Sequence, residues 1–173
     1  KNSRWISSAF FMISPNNEHG FTYADCGVIP DPNFDQLCNI AYESSKLHAL
    51  LTKEEPKVAF LSFSSKGSAD HYKVKKVQEA VKLFKKKYPH INADGEIQFD
   101  VAVNHSVCKK KIDSSSLKGE SNVFIFPDLD SANIAYKITE HLAGYQALGP
   151  LLMGLNRPVH DLSRGCNIDD IIY

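Results

Sequence analysis

The chain has 173 residues, of which 43% are hydrophobic and 23% are charged, and this length and composition favour one globular domain. Lysine plus arginine and aspartate plus glutamate each number 20, so the formal net charge of zero argues against a general nucleic-acid binder and a polybasic membrane-surface protein. No apolar run approaches the roughly 18 residues needed to span a bilayer, so no membrane partner is expected.

The cysteines and histidines show no metal-binding pattern. No CxxC pair, HxH or HExxH spacing is present, so we expect no metal site. Widely spaced cysteines in a domain of this size are typical of free thiols in a reducing cytosol, and we therefore expect a cytoplasmic protein. The cysteines are Cys26, Cys38, Cys108 and Cys166.

The first third of the chain predicts a strand hairpin followed by a helix. Residues 5–14 and 21–24 have the apolar character of strands, and the turn-rich residues 15–20 join them. Residues 31–33 introduce a helix whose apolar side chains follow the 3.6-residue period. The predicted inward positions of this helix are Leu37, Ile40, Ala41, Leu47 and Leu51.

The middle of the chain predicts a buried strand over 58–63, a polar loop over 64–68 and a second helix. The apolar stripe of that helix consists of Val74, Val77, Val81 and Phe84. Its other face is rich in lysine, which we interpret as a solvated outer face rather than a nucleic-acid surface. These lysines are Lys73, Lys75, Lys76, Lys82, Lys85, Lys86 and Lys87.

The last part of the chain predicts two further strands and two helices. Residues 97–103 favour a short strand running into a helix near Val107, and 109–119 favour a loop. Residues 123–126 predict a buried strand, and 131–143 predict a helix, before a last apolar segment over 148–155. The predicted inward positions of the helix are Ile134, Ala135, Ile138 and Leu142.

This alternation of strands and helices predicts an α/β sandwich with a mixed, largely parallel sheet. Ligands of such sheets collect beyond the carboxyl ends of the strands, where the loops 62–69, 126–133 and 155–167 are expected. The chain starts without Met and stops at Tyr173, just after Asn167 and the acidic Asp169 and Asp170 favour a new helix. We therefore expect a piece of a longer protein.

Each of the three loops has a functional and a purely structural interpretation. The hydroxyls, Gly67 and Lys66 of the first loop suit an anion held by backbone N–H groups, and they equally suit a hydroxyl-rich helix cap. In the second loop, acidic residues match the helix dipole, while Asn133, Tyr136 and Lys137 are candidates to face a cleft.

The third loop combines Arg164, which favours a phosphoryl oxygen, with Asp170 as a candidate base. The structural alternative is a capped helix with an ion pair. A Ser163–His160–Asp161 triad is disfavoured because residues this close on one loop rarely reach that geometry.

Four blocks, in order, resemble the phosphate acetyltransferase (phosphotransacetylase) family. Residues 157–166 (RPVHDLSRGC) resemble its C-terminal signature, and 123–129 with 133–137 resemble its strand–turn–helix block. Residues 94–100 (DGEIQFD) resemble its DGxxQxD block, and 61–68 resemble its serine-rich loop. The match extends over nearly the whole chain. Departures are Glu96 for a usual Pro, Ala132 for a usual Gly and His160 for a usual Asn.

The resemblance implies a full-length subunit about twice as long as this chain, and two such subunits would form a homodimer. Each subunit would have two α/β domains around a cleft, and the fold would be a three-layer sandwich similar to isocitrate and isopropylmalate dehydrogenases. Residues 1–156 would form the second domain, and 157–173 would begin the return to the first domain.

The implied reaction moves an acetyl group reversibly between acetyl phosphate and coenzyme A, with no tightly bound cofactor. By resemblance, Asp170 takes the thiol proton, Arg164 holds the phosphoryl group, and Ser163 donates to the tetrahedral intermediate or orients the thiol. The alternatives are a phosphate butyryltransferase and a non-catalytic acetyl-CoA-sensing domain such as the one appended to some malic enzymes. The expected substrate contacts are Ser64, Lys66, Gln98, Asn133 and Lys137.

Overall fold

A computed structural model describes residues 4–112, 115–159 and 161 of the chain. Within them, six strands form one sheet: β1 (Ser7–Ile13), β2 (Gly20–Ala24), β3 (Lys57–Leu61), β4 (Asn92–Ile97), β5 (Val123–Ile125) and β6 (Gln146–Met153). The helices of the described residues are α1 (Phe34–Thr52), α2 (Tyr72–Lys87), α3 (Phe99–Val103), α4 (His105–Lys111) and α5 (Leu129–Ala143).

The strands are ordered β4-β3-β5-β2-β1-β6 across the sheet. β3 pairs in parallel with β4 and β5, and β5 pairs in parallel with β2. β1 runs antiparallel to both of its neighbours, β2 and β6. The sheet is therefore mixed and mostly parallel, and the predicted opening hairpin is confirmed.

Helices cover both faces of the sheet, which makes three layers. Because successive strand side chains point to opposite faces, Val58 and Phe60 of β3 face one core, and Ala59 and Leu61 face the other. α1 and α2 complete the first core, and α3, α4 and α5 complete the second. The predicted α/β sandwich is confirmed.

The start of α1 follows from its cap. The Asn33 side chain accepts a hydrogen bond from the Gln36 N–H at 2.9 Å, and the Gln36 side chain accepts one from the Asn33 N–H at 2.9 Å. Leu37, Ile40 and Ala41 are buried as predicted. Leu51, in contrast, is 47% exposed, so its predicted inward position is wrong.

α2 has the predicted division into an apolar and a basic face. Val74, Val77, Val81 and Phe84 are buried. The lysines of the other face are largely exposed, and several pair with carboxylates: Lys73 with Asp128, Lys75 with Asp70, Lys76 with Asp31, Lys85 with Asp94 and Lys87 with Asp35. The prediction of a solvated outer face is confirmed.

The predicted strand over 97–103 is wrong. The strand of this region, β4, ends at Ile97, and Phe99–Val103 forms the helix α3. β4 was missed because two of its buried residues, Asp94 and Glu96, are carboxylates, whereas buried strands are ordinarily recognised by apolar runs. The predicted loop over 109–119 is wrong at its start, since α4 continues to Lys111.

The predicted inward face of α5 is also wrong. Ile134, Ile138 and Leu142 are 57%, 52% and 83% exposed. The buried residues of α5 are Ala132 and Tyr136, and the Tyr136 ring stacks on Phe10 with 3.9 Å between ring centroids. Tyr136 therefore faces the core, and its predicted place at a cleft is wrong. Ala135 does pack against the core. The period of the pattern was correct, but the helix is rotated so that an aromatic side chain, rather than the aliphatic stripe, faces the sheet.

Among the described residues, no helix is both long enough and apolar enough to cross a membrane. Cys26, Cys38 and Cys108 are buried free thiols. Burial raises the pKa of the Cys38 thiol to about 11 and that of Cys26 further still. The Cys26 and Cys38 thiols are therefore protonated at neutral pH and poorly suited to nucleophilic attack.

Candidate functional site

The parallel strands β2, β3, β4 and β5 all end at one edge of the sheet, and the loops that follow them meet there. The Leu129 N–H donates to the Pro30 carbonyl at 3.0 Å, which joins the loop after β2 to the start of α5. The Lys76 ammonium donates to the Asp31 carboxylate at 2.6 Å and to the Pro127 carbonyl at 3.0 Å. This edge is where an open α/β sheet binds its ligands.

The serine-rich loop over 62–69 is folded against β4. Ser64 is fully buried, and its hydroxyl donates to Glu96 Oε1 at 3.0 Å. The Gly67 N–H donates to the same carboxylate oxygen at 2.6 Å. The structure therefore directs the Ser64 hydroxyl inwards, to the protein's own carboxylate.

Lys66 is the basic residue of the same loop. Its ammonium pairs with the buried Asp94 carboxylate and donates to the Gly95 carbonyl at 3.0 Å, and the Lys85 ammonium lies 3.0 Å from the same carboxylate. Burial acts to raise the pKa of Asp94, but the hydrogen bonds and charges of Lys66 and Lys85 outweigh it and hold that pKa below its ordinary value. Asp94 thus anchors the Lys66 side chain within the loop.

Gln98 connects the loop to the start of α3. Its N–H donates to the Ser65 hydroxyl at 3.0 Å, and that hydroxyl donates to Gln98 Oε1 at 3.3 Å. The Lys111 ammonium donates to the same side-chain oxygen at 3.2 Å. Ser64, Lys66 and Gln98 are therefore brought together, in one network that ties the loop to β4 and α3.

The second predicted loop leads into α5. The Asp128 side chain caps the helix by accepting from the Ser131 N–H at 3.0 Å. Burial acts to raise the pKa of Asp128, but the hydrogen bonds from Ser131 and the nearby Lys73 ammonium together lower it. The carboxylate therefore stays ionised at neutral pH, where it stabilises the positive end of the helix dipole.

Asn133 and Lys137 lie one turn apart on α5. The Asn133 side-chain amide donates to the Cys26 carbonyl at 3.2 Å, so it faces the loop after β2. Lys137 is exposed, and its ammonium lies 5.7 Å from the centre of the Tyr136 ring. Lys137 therefore offers a positive charge to solvent, whereas the Asn133 side chain is engaged within the fold.

A fourth loop at this edge, residues 25–30, was not predicted from the sequence. Asp25 is buried, and its carboxylate accepts from the Ser8 hydroxyl at 2.6 Å and from the Ile29 N–H at 3.0 Å. Further donors to it are the N–H groups of Ser8, Gly27 and Val28. The sequence does contain a signal for this loop, namely an acidic residue and a glycine directly after a strand. The rule that ligands bind beyond the carboxyl ends of parallel strands includes this loop once β2 is known to be parallel to β5.

Ser163, Arg164 and Asp170 lie outside the described residues, as does His160. The third predicted loop is described only through Val159 and at Asp161. No group of three or more His, Cys, Asp and Glu side chains among the described residues is arranged to hold a metal ion.

A pocket of about 400 Å³ lies at the opposite edge, beside the amino ends of the parallel strands. It contains none of the predicted site residues. Side chains that line it include His19, Phe21, Lys57, Glu120 and Asn122.

Comparison with known proteins identifies the family. The family model described as "Phosphate acetyl/butaryl transferase" matches residues 1–173, so the chain belongs to this family, as the sequence blocks predicted. It is 49% identical over 174 residues to the phosphate acetyltransferase of Acetivibrio thermocellus, and the match covers 98% of this chain and 52% of that protein.

Solved structures agree with this assignment. EutD phosphotransacetylase from Staphylococcus aureus matches with a TM-score of 0.89 at 47% identity, over 96% of this chain and 51% of that one. A phosphotransacetylase from Streptococcus pyogenes matches with a TM-score of 0.92 at 40% identity, over 98% of this chain and 51% of that one. The chain thus spans about half the length of the relatives that it matches.

Proposed function

We propose that the chain is part of a phosphate acetyltransferase, which moves an acetyl group reversibly between acetyl phosphate and coenzyme A. The observation that carries this proposal is the 49% identity, over 98% of the chain, to a relative named phosphate acetyltransferase. The gathering of loops at the carboxyl edge of the sheet supports it, because this edge is where such a fold binds small ligands.

In the proposed reaction, Asp170 accepts the proton of the coenzyme A thiol. A free thiol has a pKa of about 8.5 and is only a few per cent ionised at neutral pH, so a base increases the reactive fraction. The thiolate attacks the acetyl carbonyl, a C–S bond forms, the C–O bond to phosphate breaks, and phosphate leaves. Arg164 holds the phosphoryl group, and Ser163 donates to the tetrahedral intermediate or orients the thiol. Direct transfer between two bound substrates needs neither a covalent enzyme intermediate nor a tightly bound cofactor.

The residues of the described edge have unequal parts in this proposal. Of these residues, Lys137 is the most open to a phosphate group, because it is exposed on α5. Asn133 and Gln98 are half-buried at the same edge. A substrate would therefore contact them only when it is bound inside the proposed cleft between the two domains. Direct contact by Ser64 or Lys66 requires exchange of their bonds to Glu96 and Asp94.

We further propose that residues 1–156 form the second of two domains and that 157–173 begin the return to the first. The proposed fold is similar to that of isocitrate and isopropylmalate dehydrogenases, and the proposed protein is a cytoplasmic homodimer. Coverage of about half of each relative supports the two-domain proposal. The exposed stripe of Ile134, Ile138 and Leu142 on α5 supports an apolar interface.

The test is an assay of the full-length protein with coenzyme A and either acetyl phosphate or butyryl phosphate, followed by thioester absorbance. We expect thioester formation with both substrates and a higher kcat/KM with acetyl phosphate. A preference for butyryl phosphate would identify a phosphate butyryltransferase instead. Binding of acetyl-CoA without turnover of either acyl phosphate would identify a sensing domain.

A further inference from the structure

The serine-rich loop has the backbone geometry of an anion-binding loop. Lys66 and Gly67 have φ angles of 50° and 83°, both in the left-handed region, and their N–H groups both point towards β4. Backbone N–H groups of such turns bind anions. The Lys66 N–H is bonded to a main-chain carbonyl, so the donors that remain for an anion are the Gly67 N–H and the Ser64 hydroxyl, and a substrate phosphate is one candidate occupant.

The position is already filled by the protein's own carboxylate. Glu96 Oε1 accepts from the Gly67 N–H at 2.6 Å and from the Ser64 hydroxyl at 3.0 Å. The Lys66 N–H donates to the main-chain carbonyl of Glu96 at 3.0 Å. Because Glu96 and Ser64 are both buried, this carboxylate belongs to the interior of the loop rather than to its surface.

The other hydroxyls of the loop are arranged around this carboxylate. Ser64 Oγ accepts from the Ala69 N–H at 3.2 Å and lies 3.2 Å from Ser68 Oγ. Ser68 Oγ in turn accepts from the Ser65 N–H at 3.0 Å. A continuous chain of hydrogen bonds therefore links Glu96 to Ser65, and Ser65 in turn contacts Gln98 at the candidate site.

The lysine of the loop does not compete for this carboxylate. The Lys66 ammonium pairs with Asp94. In the contacts that the structure describes, Glu96 Oε1 is thus held by a backbone N–H and a hydroxyl, which are neutral donors. A substrate phosphate can therefore enter this position only by displacing Glu96.

We propose that Glu96 is a positioning residue whose carboxylate fills the anion-binding position of the 62–69 loop. It fixes the loop against β4 and excludes phosphate from that position. The substrate's phosphoryl group must then be held elsewhere on the carboxyl edge. The role of the loop in acyl transfer rests on the proposed function, but the occupancy by Glu96 does not.

The test compares Glu96→Ala and Glu96→Gln in the full-length protein by thermal unfolding, with and without sodium formate. Glu96→Ala leaves two donors without their acceptor, so we expect Tm to fall on the order of 5 °C. Formate, a small carboxylate that fits the vacated position, should recover part of this loss, whereas sodium chloride at equal ionic strength should not. Glu96→Gln retains an acceptor oxygen and should stay near the wild-type Tm. Glu55→Ala, at an exposed glutamate, is the matched control.

Two results would overturn the proposal: an equal loss of Tm in Glu96→Gln and Glu96→Ala, or no greater response to formate in Glu96→Ala than in wild type. If Glu96→Ala does not fold, the contrast with a folded Glu96→Gln supports the proposal, and Ser64→Ala, which removes one donor, should then lower Tm less. In the acyl-transfer assay, Glu96→Ala should raise the KM for acetyl phosphate by a larger factor than it lowers kcat. Absence of acyl transfer by the wild-type full-length protein would contradict the proposed function. The formate result would still test the role of Glu96, because it is measured by thermal unfolding.

Discussion

Buried carboxylates hold the loops at the carboxyl edge of the sheet. Asp25 and Glu96 accept hydrogen bonds from backbone N–H groups and hydroxyls, while Asp94 pairs with lysines. An isolated carboxylate is costly to bury, and these are stable because each has several donors. Single substitutions of these residues should therefore have larger effects than substitutions of surface charges.

Asp25→Ala should lower the free energy of unfolding by about 3–5 kcal/mol, because it leaves the buried Ser8 hydroxyl and N–H, together with partly buried N–H groups of the 25–30 loop, without an acceptor. Urea denaturation monitored by circular dichroism measures the change. Asp70→Ala is the matched control, since the Asp70 side chain is 82% exposed in its pair with Lys75 and its loss should leave the free energy of unfolding nearly unchanged. Equal effects of the two substitutions would contradict the role assigned to Asp25.

His48 should make the stability depend on pH. Burial lowers the pKa of His48, and the nearby Glu54 opposes this only in part. The unfolded chain therefore binds a proton near pH 6.5, where the folded protein does not, so stability is full above that pH and falls as the pH is lowered through it. His48→Gln should flatten the dependence between pH 7 and pH 5 in urea denaturation, and the exposed His90→Gln should not. Parallel curves for wild type and His48→Gln would contradict this prediction.

Arg164 and Asp170 carry the proposed chemistry, and their roles separate kinetically. In the full-length protein, Arg164→Ala should lower kcat by about 10²–10³-fold with an unchanged circular dichroism spectrum, because a charged donor to the phosphoryl group is lost. Asp170→Asn should slow thioester formation and change the pH profile of kcat/KM, because the base is lost. Near-normal turnover of the first variant, or an unchanged profile of the second, would remove the corresponding role.

At the level of elements, the sequence predicts the helices that have a regular apolar stripe and the strands that are short apolar runs. α1 and α2 have both a regular apolar stripe and clear starts, and β3 and β5 are short apolar runs bounded by polar residues. β4 was missed because the burial of Asp94 and Glu96 depends on tertiary partners, among them Lys66 and Ser64. A partner about 30 positions away is invisible to a local pattern.

The candidate site shows the same limit. The carboxyl-end rule located the first two loops, but residue type alone does not distinguish a substrate contact from an internal one. Ser64 and Lys66 were selected because hydroxyls and ammonium groups bind phosphate, and in the structure both bind carboxylates of β4. The direction of a side chain depends on tertiary packing, which the sequence pattern does not contain.

α5 gives the clearest prediction for an element. Ile134, Ile138 and Leu142 form an exposed stripe, and burial of such side chains stabilises an interface by about 1.5–3 kcal/mol each. If a second copy covers the stripe, Ile138→Asp in the full-length protein should convert a dimer to a monomer in light scattering coupled to size-exclusion chromatography. Lys110→Glu, an exposed charge change on α4, should leave the mass unchanged. A dimer that persists with a lowered Tm would instead show that the stripe is covered within one subunit.

At the level of the whole molecule, the described edge is one wall of the cleft that we propose. The loops after β2, β3 and β5 lie at this edge, and α5, which follows the last of them, carries the exposed Lys137. The chain matches about half of the length of its relatives, and the proposed two-domain arrangement assigns the opposite wall to the other half. Orientation of two substrates within one cleft contributes roughly 7–11 kcal/mol to acceleration, and one wall does not provide it.

The isolated 173-residue chain should therefore form no measurable thioester from acetyl phosphate and coenzyme A, in contrast to the activity that we propose for the full-length protein. Circular dichroism must first show that the isolated chain has the helices and strands of the structure, so that the loss of activity is not a loss of fold. Addition of the other half as a separate polypeptide should restore part of the activity if the two halves assemble. Turnover by the folded 173-residue chain alone, at a rate comparable to that of the full-length protein, would show that the cleft is complete without the other half.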